Sequence, residues 1–488
     1  MDAGALDDAL EAAPPAGRTF NAGQRAALRA ALTRPLAVIA GGPGTGKTAL
    51  LAGIVRALRR LGLRADEIAL AAPTGRAANR IAESLRTAGV TDAPEPRTLH
   101  RLLGLRRDRA VGLGEARHHE NFPVAARAVL VDEASMIDLA LMERLARAVA
   151  ADARLVLVGD ADQLPSVEAG AVFRELGAHA VRLTESLRQD PSAPAGASVL
   201  AAARAVRQGD AEAAALAVAP KPRPADLAFA GFERLAPATP AHARRLVAAF
   251  AEHWARTRVR ALPDHDALVA HVYRWRDDPA APFDADEATA VRALVRHHAS
   301  LRVLAVTRGA GAPTGAEALN ALLARHALGT GAAELGPAAG TPVMMIRNDY
   351  DRGLFNGDQG VVVRAARPGE APRLVAVFPR GEAERGGGGA PGPSGLAAFA
   401  HDGLREDLRV AYATTVHKAQ GAELDHVALV LPERDLPLLC RELVYTALTR
   451  ARHSAVVVGR ADLLALAVAR PLERASGLAA RLDALTKV

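Results

Sequence analysis

The sequence predicts an α/β protein of two domains, each built on a parallel sheet, with a β-rich insert in the second. Three observations carry this expectation. Short apolar runs that read as buried strands alternate with amphipathic helical stretches over most of the chain. Polar and acidic residues fall just after those runs, at the strand ends where parallel sheets present their loops. Between residues 341 and 409 the alternation gives way to short strands and tight Asn-Gly and Asp-Gln-Gly turns.

The elements follow in order. Residues 1–19 read as a loose leader. FNAGQRAALRAAL (20–32) is a helix with Asn21 as N-cap, and PLAVIA (35–40) a buried strand. GGPGTGKT (41–48) leads into a second helix. EIALAAP (67–73) is a strand before the helix from Gly75, and ARAVLVDEAS and ARLVLVGDADQLPS (126–135, 153–166) are two more. A first α/β domain therefore spans 20–187. Residues 190–240 are alanine-rich and helical, broken at PKPRPAD (220–226), and strands return at DALVAHV (266–272) and LRVLAVT (301–307). The second domain takes 188–340 and 410–488, around a small β-barrel insert at 341–409 whose GEAERGGGGAPGPSG segment (381–395) is a flexible tip.

Composition sets bounds. With 488 residues the chain is too long for one ordinary core. No apolar run of membrane length is free of arginine, and the start MDAGALDDALEAAPP is acidic where a signal peptide is basic, so a cytoplasmic location and no membrane partner are expected. The single cysteine, Cys440, excludes an intramolecular disulfide and an all-cysteine zinc site. A net charge of +7 is compatible with a polyanion partner. Of 61 basic residues only Lys47, Lys221, Lys418 and Lys487 are lysines, so a lysine that remains is a candidate for a role arginine fills poorly, such as a compact ammonium against phosphate. Lys47 and Lys418 lie in dense, motif-like segments. The pairs His118–His119 and His297–His298 lack a partner at ligand spacing and read as solvated surface.

GGPGTGKT between a strand and a helix is a full phosphate loop. Across Gly42, Pro43, Gly44, Thr45 and Gly46 the glycines let backbone N–H groups turn toward phosphates, Lys47 adds a point charge, and Thr48 offers a hydroxyl to magnesium. ATP and Mg2+ are thus the expected ligands. Asp132 and Glu133 end a strand, so one carboxylate can hold the metal while the other orients the attacking water. Gln163, near Asp160 at the next strand end, can hydrogen-bond the γ-phosphate or the water; a plain turn is the alternative. Gln24 can read an adenine edge or be a surface glutamine. Arg188 and Arg450 can neutralise charge on the transferring phosphoryl group, although chemistry alone does not single them out.

In order along the chain, QRAAL, GGPGTGKT, APTGRAA, TLHRLLG, VLVDEASMID, GDADQLPSVEAG, LTESLRQ, FNGDQG, ATTVHKAQGAELDHV and LVYTALTRAR resemble the segments of superfamily 1 helicases, most closely the RecD family. The resemblance covers about residue 20 to the end, including ERASGLAARL. It implies tandem RecA-like P-loop NTPase domains with an SH3-like insert. It also implies an ATP-dependent 5′–3′ DNA helicase acting on single-stranded DNA at DNA ends, nucleoid-associated in a bacterium, beside RecB-like and RecC-like subunits of an exodeoxyribonuclease V. The nuclease then belongs to the partner.

Carried over by residue, the resemblance gives Gln24 to adenine, Lys47 and Thr48 to phosphate and magnesium, and Asp132 to the metal. Glu133 goes to the water, Gln163 to the γ-phosphate, and Arg188 and Arg450 become arginine fingers. Gln420 and Gly421 face the nucleotide. Pro73, Thr74, Gly75, Arg76, Thr98, His100, Asn356, Gly357, Thr414, Thr415 and His417 fall on DNA-contacting stretches, with Tyr350 and Phe355 as stacking or core aromatics. Members of the family usually carry an N-terminal helical domain before the first motif. Only residues 1–19 precede Phe20 here, so the expectation is a chain without that domain and with weakened assembly. The rival readings are a stand-alone helicase and a non-motor DNA-binding or scaffold subunit.

Overall fold

The computed structural model describes residues 3–15, 19–90, 92–105, 107–108, 112–113, 116–185, 194–212, 218–309, 312–328, 337–349, 351–380, 395–474 and 476–485. The chain forms two compact units, Met1–Asp190 with Glu473–Val488, and Pro191–Leu472. Arg188, Tyr350 and most of the 381–395 segment lie outside the described residues.

In the first unit the strands are β1 (Leu36–Gly41), β2 (Ile68–Ala72), β3 (Arg97–Thr98), a small hairpin of β4 (Arg107–Asp108) and β5 (Gly112–Leu113), then β6 (Ala128–Val131), β7 (Arg154–Gly159) and β8 (Val181–Leu183). Six of them form a parallel sheet in the order β3-β2-β6-β7-β1-β8. Alternate residues feed opposite cores, as the two-residue period of a strand dictates. Ile39, Leu70, Leu130 and Val158 join the helices Ala22–Thr33, Lys47–Arg60 and Gly75–Thr87 on one face. Val38, Ala71, Val129 and Leu157 pack on the other with Leu141, Leu145 and Phe173.

Two expectations are corrected here. The first residues are not a loose leader: Ala3–Ala12 is a helix, and Ala9 and Ala13 are fully buried in the first core. Small side chains let the segment sit close to the helix Lys47–Arg60, where Arg56 donates to the Ala13 carbonyl at 2.7 Å. Residues from Glu473 onward belong to the first unit, not the second, because Leu478 and Leu482 pack against the Leu141 and Phe173 core.

The second unit contains β9 (Gly231–Leu235), β10 (Val272–Arg274), β11 (Leu301–Ala305), β12 (Pro342–Met345), β13 (Gln359–Ala366), β14 (Arg373–Pro379), β15 (Leu396–Ala400), β16 (Leu408–Val410), β17 (Ala413–Thr415), β18 (Leu424–Val430) and β19 (Ala451–Val458). A parallel sheet runs β17-β11-β18-β19-β9. Its edge is closed by a side chain: Asn320 donates to the Ala413 carbonyl at 2.9 Å and accepts from its N–H at 2.7 Å. The second sheet runs β15-β14-β13-β12-β16, with β10 also on β13. The stretch expected to be a small barrel thus forms five antiparallel strands, with a 3-10 turn (His401–Leu404) between β15 and β16; among the described residues no ladder joins those two strands. The sheet also reaches beyond 341–409. Val361, Val363 and Val375 share a core with Tyr273, Trp275 and Val291, Leu294 of the helix Ala285–Ser300. DALVAHV is corrected as well: His265–Ala270 is helix and only Val272 begins a strand. Strand β9 falls in the stretch expected to be helical.

The expectation of a solvated His297–His298 pair is also corrected. His298 is buried beside Tyr412 and His265, since the helix that carries it covers the sheet. Burial holds its imidazole well below the usual histidine range, with His297, His265 and Arg302 adding to the effect. Burial, then Arg258, likewise pushes His426 down to about 4. Both are neutral in the folded unit. Below about pH 6.5 the unfolded chain takes up protons that the folded unit refuses. These groups thus leave stability whole above that value and erode it as pH falls toward about 4. Thermal melts of this unit should shift down steadily between about pH 7 and 5, and less so for His298→Asn; a flat melting temperature across that range contradicts the assignment.

Candidate nucleotide and DNA site

Because every strand of the first sheet is parallel, its carboxyl edge gathers the loops after β1, β2, β3, β6 and β7. The phosphate loop follows β1. Gly46 sits at φ 79° as N-cap of the helix Lys47–Arg60, a left-handed conformation costly for other residues. At Gly41 a Cβ would meet Thr45 Oγ1 at 2.6 Å, so the turn has no room for one. Lys47 Nζ donates to the Gly41 and Gly42 carbonyls at 2.6 and 2.9 Å, and Thr45 Oγ1 to Gly42 at 2.9 Å. The loop is therefore braced by its own residues. Gln24 is buried and tied at both ends: Oε1 accepts from Asn21 N–H at 3.2 Å, while Nε2 donates to the Thr45 carbonyl at 3.1 Å. It links its helix to the phosphate loop and retains only one amide N–H for anything else.

Asp132 and Glu133 follow β6, the strand two places from β1. Both are buried. Burial, and then the neighbouring Glu133 charge, push the Asp132 carboxyl up to about 6, against the Glu133 N–H, Lys47 and Arg80, which favour the carboxylate. Glu133 has φ 52° and ψ 37°, a left-handed conformation outside glycine, and its N–H donates to Asp132 Oδ1 at 2.8 Å. Strain of this kind is stored where the surroundings fix a functional group. Arg80 Nη1 lies 3.7 Å from Glu133 Oε1.

Gln163 follows β7. Its Nε2 donates to Asp160 Oδ2 at 2.9 Å, which fixes the amide so that Oε1 is buried without a protein partner. That oxygen suits a water or another donor. Ser135 Oγ, just past Glu133, is likewise buried and unpartnered. Thr48 begins the helix behind Lys47. The Thr48 hydroxyl and the Asp132 carboxylate, disfavoured by its own burial, are oxygen donors of the kind a hard divalent cation takes.

The DNA candidates of this unit lie at the other end of the same edge, after β2 and β3. Pro73 precedes Thr74, which caps the helix Gly75–Thr87 by accepting from Ala77 N–H at 3.2 Å, with Gly75 and Arg76 in its first turn. Thr98 caps the short helix Leu99–Leu102 that holds His100. The sheet order thus sets DNA candidates at β3 and β2 and nucleotide candidates at β7 and β1, with the two carboxylates between. Arg80, one turn into the helix that starts at the DNA candidates, reaches Glu133. Sequence reading missed it; with this many arginines in the chain, only the fold singles it out.

In the second unit Arg450 is buried and donates to the carbonyls of Thr446 and Ala422, both at 3.2 Å. Gln420 is buried in the turn that Gly421 completes at φ 70°, next to Ala422, so these three residues are brought together. Thr414 and Thr415 end β17, and His417 begins the turn His417–Ala419. The two threonines line a cavity of about 360 Å³ with Lys418, Arg308, Arg409 and Asn320. Burial, then Arg308 and Arg409, hold the Lys418 ammonium below the usual lysine range. Three cations facing one cavity, with Glu317 paired to Arg308, favour an anion there. Asn356 is exposed in a turn, its N–H held by Asn348 Oδ1 at 2.8 Å, and Gly357 follows at φ 98°. Phe355 is half-buried.

Comparison with known proteins places these features. Residues 19–221 match an AAA domain and 410–458 a UvrD-like helicase C-terminal domain. The RecBCD enzyme subunit RecD of Mycolicibacterium smegmatis is 36% identical over 96% of this chain and 77% of its own length. The chain belongs to the RecD family of superfamily 1 helicases. The corresponding subunit of Mycobacterium tuberculosis is also 36% identical over 96% of the chain. The ATP-dependent RecD2 DNA helicase of Deinococcus radiodurans is 32% identical over 90% of the chain, which spans 49% of that protein. A Bacteroides Pif1 helicase solved with ADP-AlF3 and ssDNA aligns over 96% of the chain at 14% identity and a TM-score of 0.44, too low to carry an argument.

Membership makes the chain an ATP-dependent helicase that binds nucleotide with a divalent metal, and the Arg80 contact has a measurable consequence. Arg80 favours the Asp132 carboxylate. In Arg80→Ala the acid limb of the kcat/KM profile for ATP, which reports the free enzyme, should move up by a fraction of a pH unit. An unmoved limb shows that Arg80 does not act on the pair.

Proposed function

We propose that the chain is the ATP-dependent 5′–3′ helicase subunit of a RecBCD-type exodeoxyribonuclease V, moving on single-stranded DNA at double-strand break ends in recombinational repair. The observation that carries this reading is the 36% identity over 96% of the chain to a RecBCD subunit RecD. Direction of travel and partners rest on family membership, while the ATP chemistry is supported by the geometry of the first unit. Among the described residues no helix is long and apolar enough to cross a membrane.

Lys47 and the backbone N–H groups of residues 44–48 would bind the β- and γ-phosphates, and Thr48 and Asp132 would hold Mg2+. When bound, Mg2+ supplies charge neutralisation on the phosphate oxygens. Glu133 takes a proton from the attacking water or orients it, and Gln163 Oε1 accepts from that water. Gln24 has one amide hydrogen left for the adenine edge. Arg450 and Arg188 take the role of arginine fingers by resemblance. Pro73, Thr74, Gly75, Arg76, Thr98 and His100, with Asn356, Thr414, Thr415 and His417, would contact the strand. Lys418 would contribute a phosphate contact from its cation-lined cavity, which makes binding salt-dependent.

A second reading, a helicase working without nuclease partners, is favoured by the 32% identity to RecD2. Co-purification with RecB-like and RecC-like subunits separates the two. The motor itself is tested by strand displacement: a 5′-tailed duplex should be unwound with ATP and a 3′-tailed one not, and Lys47→Ala should abolish both unwinding and DNA-stimulated ATPase. Unwinding by Lys47→Ala, or a 3′-tail preference, contradicts the reading.

A further inference from the structure

The chain's last segment has no part in the site described above, yet it grips one of that site's loops. Gln163 stands on the loop between β7 and Ala171. The near end of the loop is fixed by Asp160, whose carboxylate accepts from Asp162 N–H at 3.1 Å and Gln163 Nε2 at 2.9 Å. The far end is fixed where Leu139 N–H donates to the Ala169 carbonyl at 3.0 Å. Between these anchors the carbonyls of Ser166, Val167 and Glu168 all turn toward one donor. The Arg474 guanidinium donates to them at 2.5, 3.4 and 2.8 Å respectively. A planar fork with five N–H groups can hold three successive carbonyls at once; a lysine ammonium cannot match that fixed geometry.

Arg474 is itself held on both sides. Behind it, the Leu472 N–H donates to the Glu442 carboxylate at 2.7 Å within the second unit. Ahead of it, the Glu175 carboxylate accepts from Ser476 N–H and Oγ, both at 2.9 Å, and from Ala479 N–H at 3.1 Å. Burial raises the Glu175 carboxyl, but these hydrogen bonds outweigh it and hold the group below the usual carboxylate range. Leu478 and Leu482 then pack on the core beneath. The tail is therefore a built strap, with a charged anchor, an apolar anchor and, two residues from the Glu442 attachment, a three-point grip on the loop.

We propose that Arg474 is a positioning residue for Gln163, and that the tail Glu473–Leu485 is a strap that holds the γ-phosphate-sensing loop in its working conformation. The proposal rests on the reading of Gln163 as the group that meets the attacking water or γ-phosphate. Ser166 is only three residues from Gln163. Freed from Arg474, the loop keeps its Asp160 and Ala169 anchors, so the fold stays intact while the backbone just after Gln163 is released and the orphan Oε1 is left positioned by the Asp160 hydrogen bond alone. Small displacements of a group that orients a reactant cost rate rather than binding.

The test is a mutant cycle on the full chain, with DNA-stimulated ATPase, the KM for ATP and thermal melts as readouts. Arg474→Ala should lower kcat roughly tenfold or more, with KM and melting temperature nearly unchanged, and Arg474→Lys should recover part of the loss. Combined with Gln163→Ala it should add nothing, since both act through one group. If Gln163→Ala leaves kcat intact, the sensor reading fails. If Gln163→Ala lowers kcat and Arg474→Ala does not, or if the two losses multiply, the strap fails while the sensor reading stands. Should Arg474→Ala not fold, Glu175→Gln, which weakens the strap's charged anchor, should reproduce the kcat loss in part; an unchanged kcat there also overturns the proposal.

Discussion

A parallel sheet can bring chain-distant loops side by side only at its carboxyl edge, and the order in which its strands lie decides which loops meet. In the first unit the order β3-β2-β6-β7-β1 is the constraint on which the rest depends. It puts the phosphate loop beside the Gln163 loop, the Asp132–Glu133 turn next, and the Pro73–Arg76 and Thr98–His100 segments beyond. The nucleotide candidates and the DNA candidates are thereby distributed along one edge, with the carboxylates in the middle. No longer-range element is required to connect them, because the helix Gly75–Thr87 starts among the DNA candidates and presents Arg80 to Glu133 a turn later.

The electrostatics follow from that placement. Burial at the strand end, and then the neighbouring Glu133 charge, disfavour the Asp132 carboxylate, which is why that carboxyl rises to about 6. A divalent cation held by Asp132 would supply positive charge there and favour the carboxylate. Lys47 and Arg80 already supply part of that compensation. The left-handed backbone at Glu133 goes with an N–H that closes onto the Asp132 carboxylate. The second unit supplies a different environment, in which Lys418, Arg308 and Arg409 face one cavity, and burial followed by the two arginines holds the Lys418 ammonium below the usual lysine range.

Local pattern made much of this visible in the sequence. GGPGTGKT, VLVDEAS and VLVGDADQLPS announce themselves because a buried strand must be apolar and its terminal loop polar, and both signals are contiguous. What stayed hidden depends on contacts far apart in the chain. Alanines at 9 and 13 carry no strong apolar signal, yet small size is what lets that helix approach the core. DALVAHV is apolar enough for either element, and the choice of helix is made by the packing of its neighbours. His298 is polar by composition and buried by the sheet its helix covers. Gln24 and Arg80 are common residue types whose partners, Thr45 and Glu133, lie elsewhere in the sequence. The strap joins residue 474 to residues 166–168, and no periodicity reports such a pairing.

The central claim is that the carboxyl edge of the first sheet hydrolyses ATP through Glu133 after binding it through Lys47. It is tested most directly by Glu133→Gln, which keeps the size and a hydrogen-bonding oxygen but removes the base. Equilibrium binding of ATP with Mg2+ should persist within a fewfold while DNA-stimulated turnover falls by roughly a hundredfold or more. Turnover close to that of the unmodified chain would contradict the account.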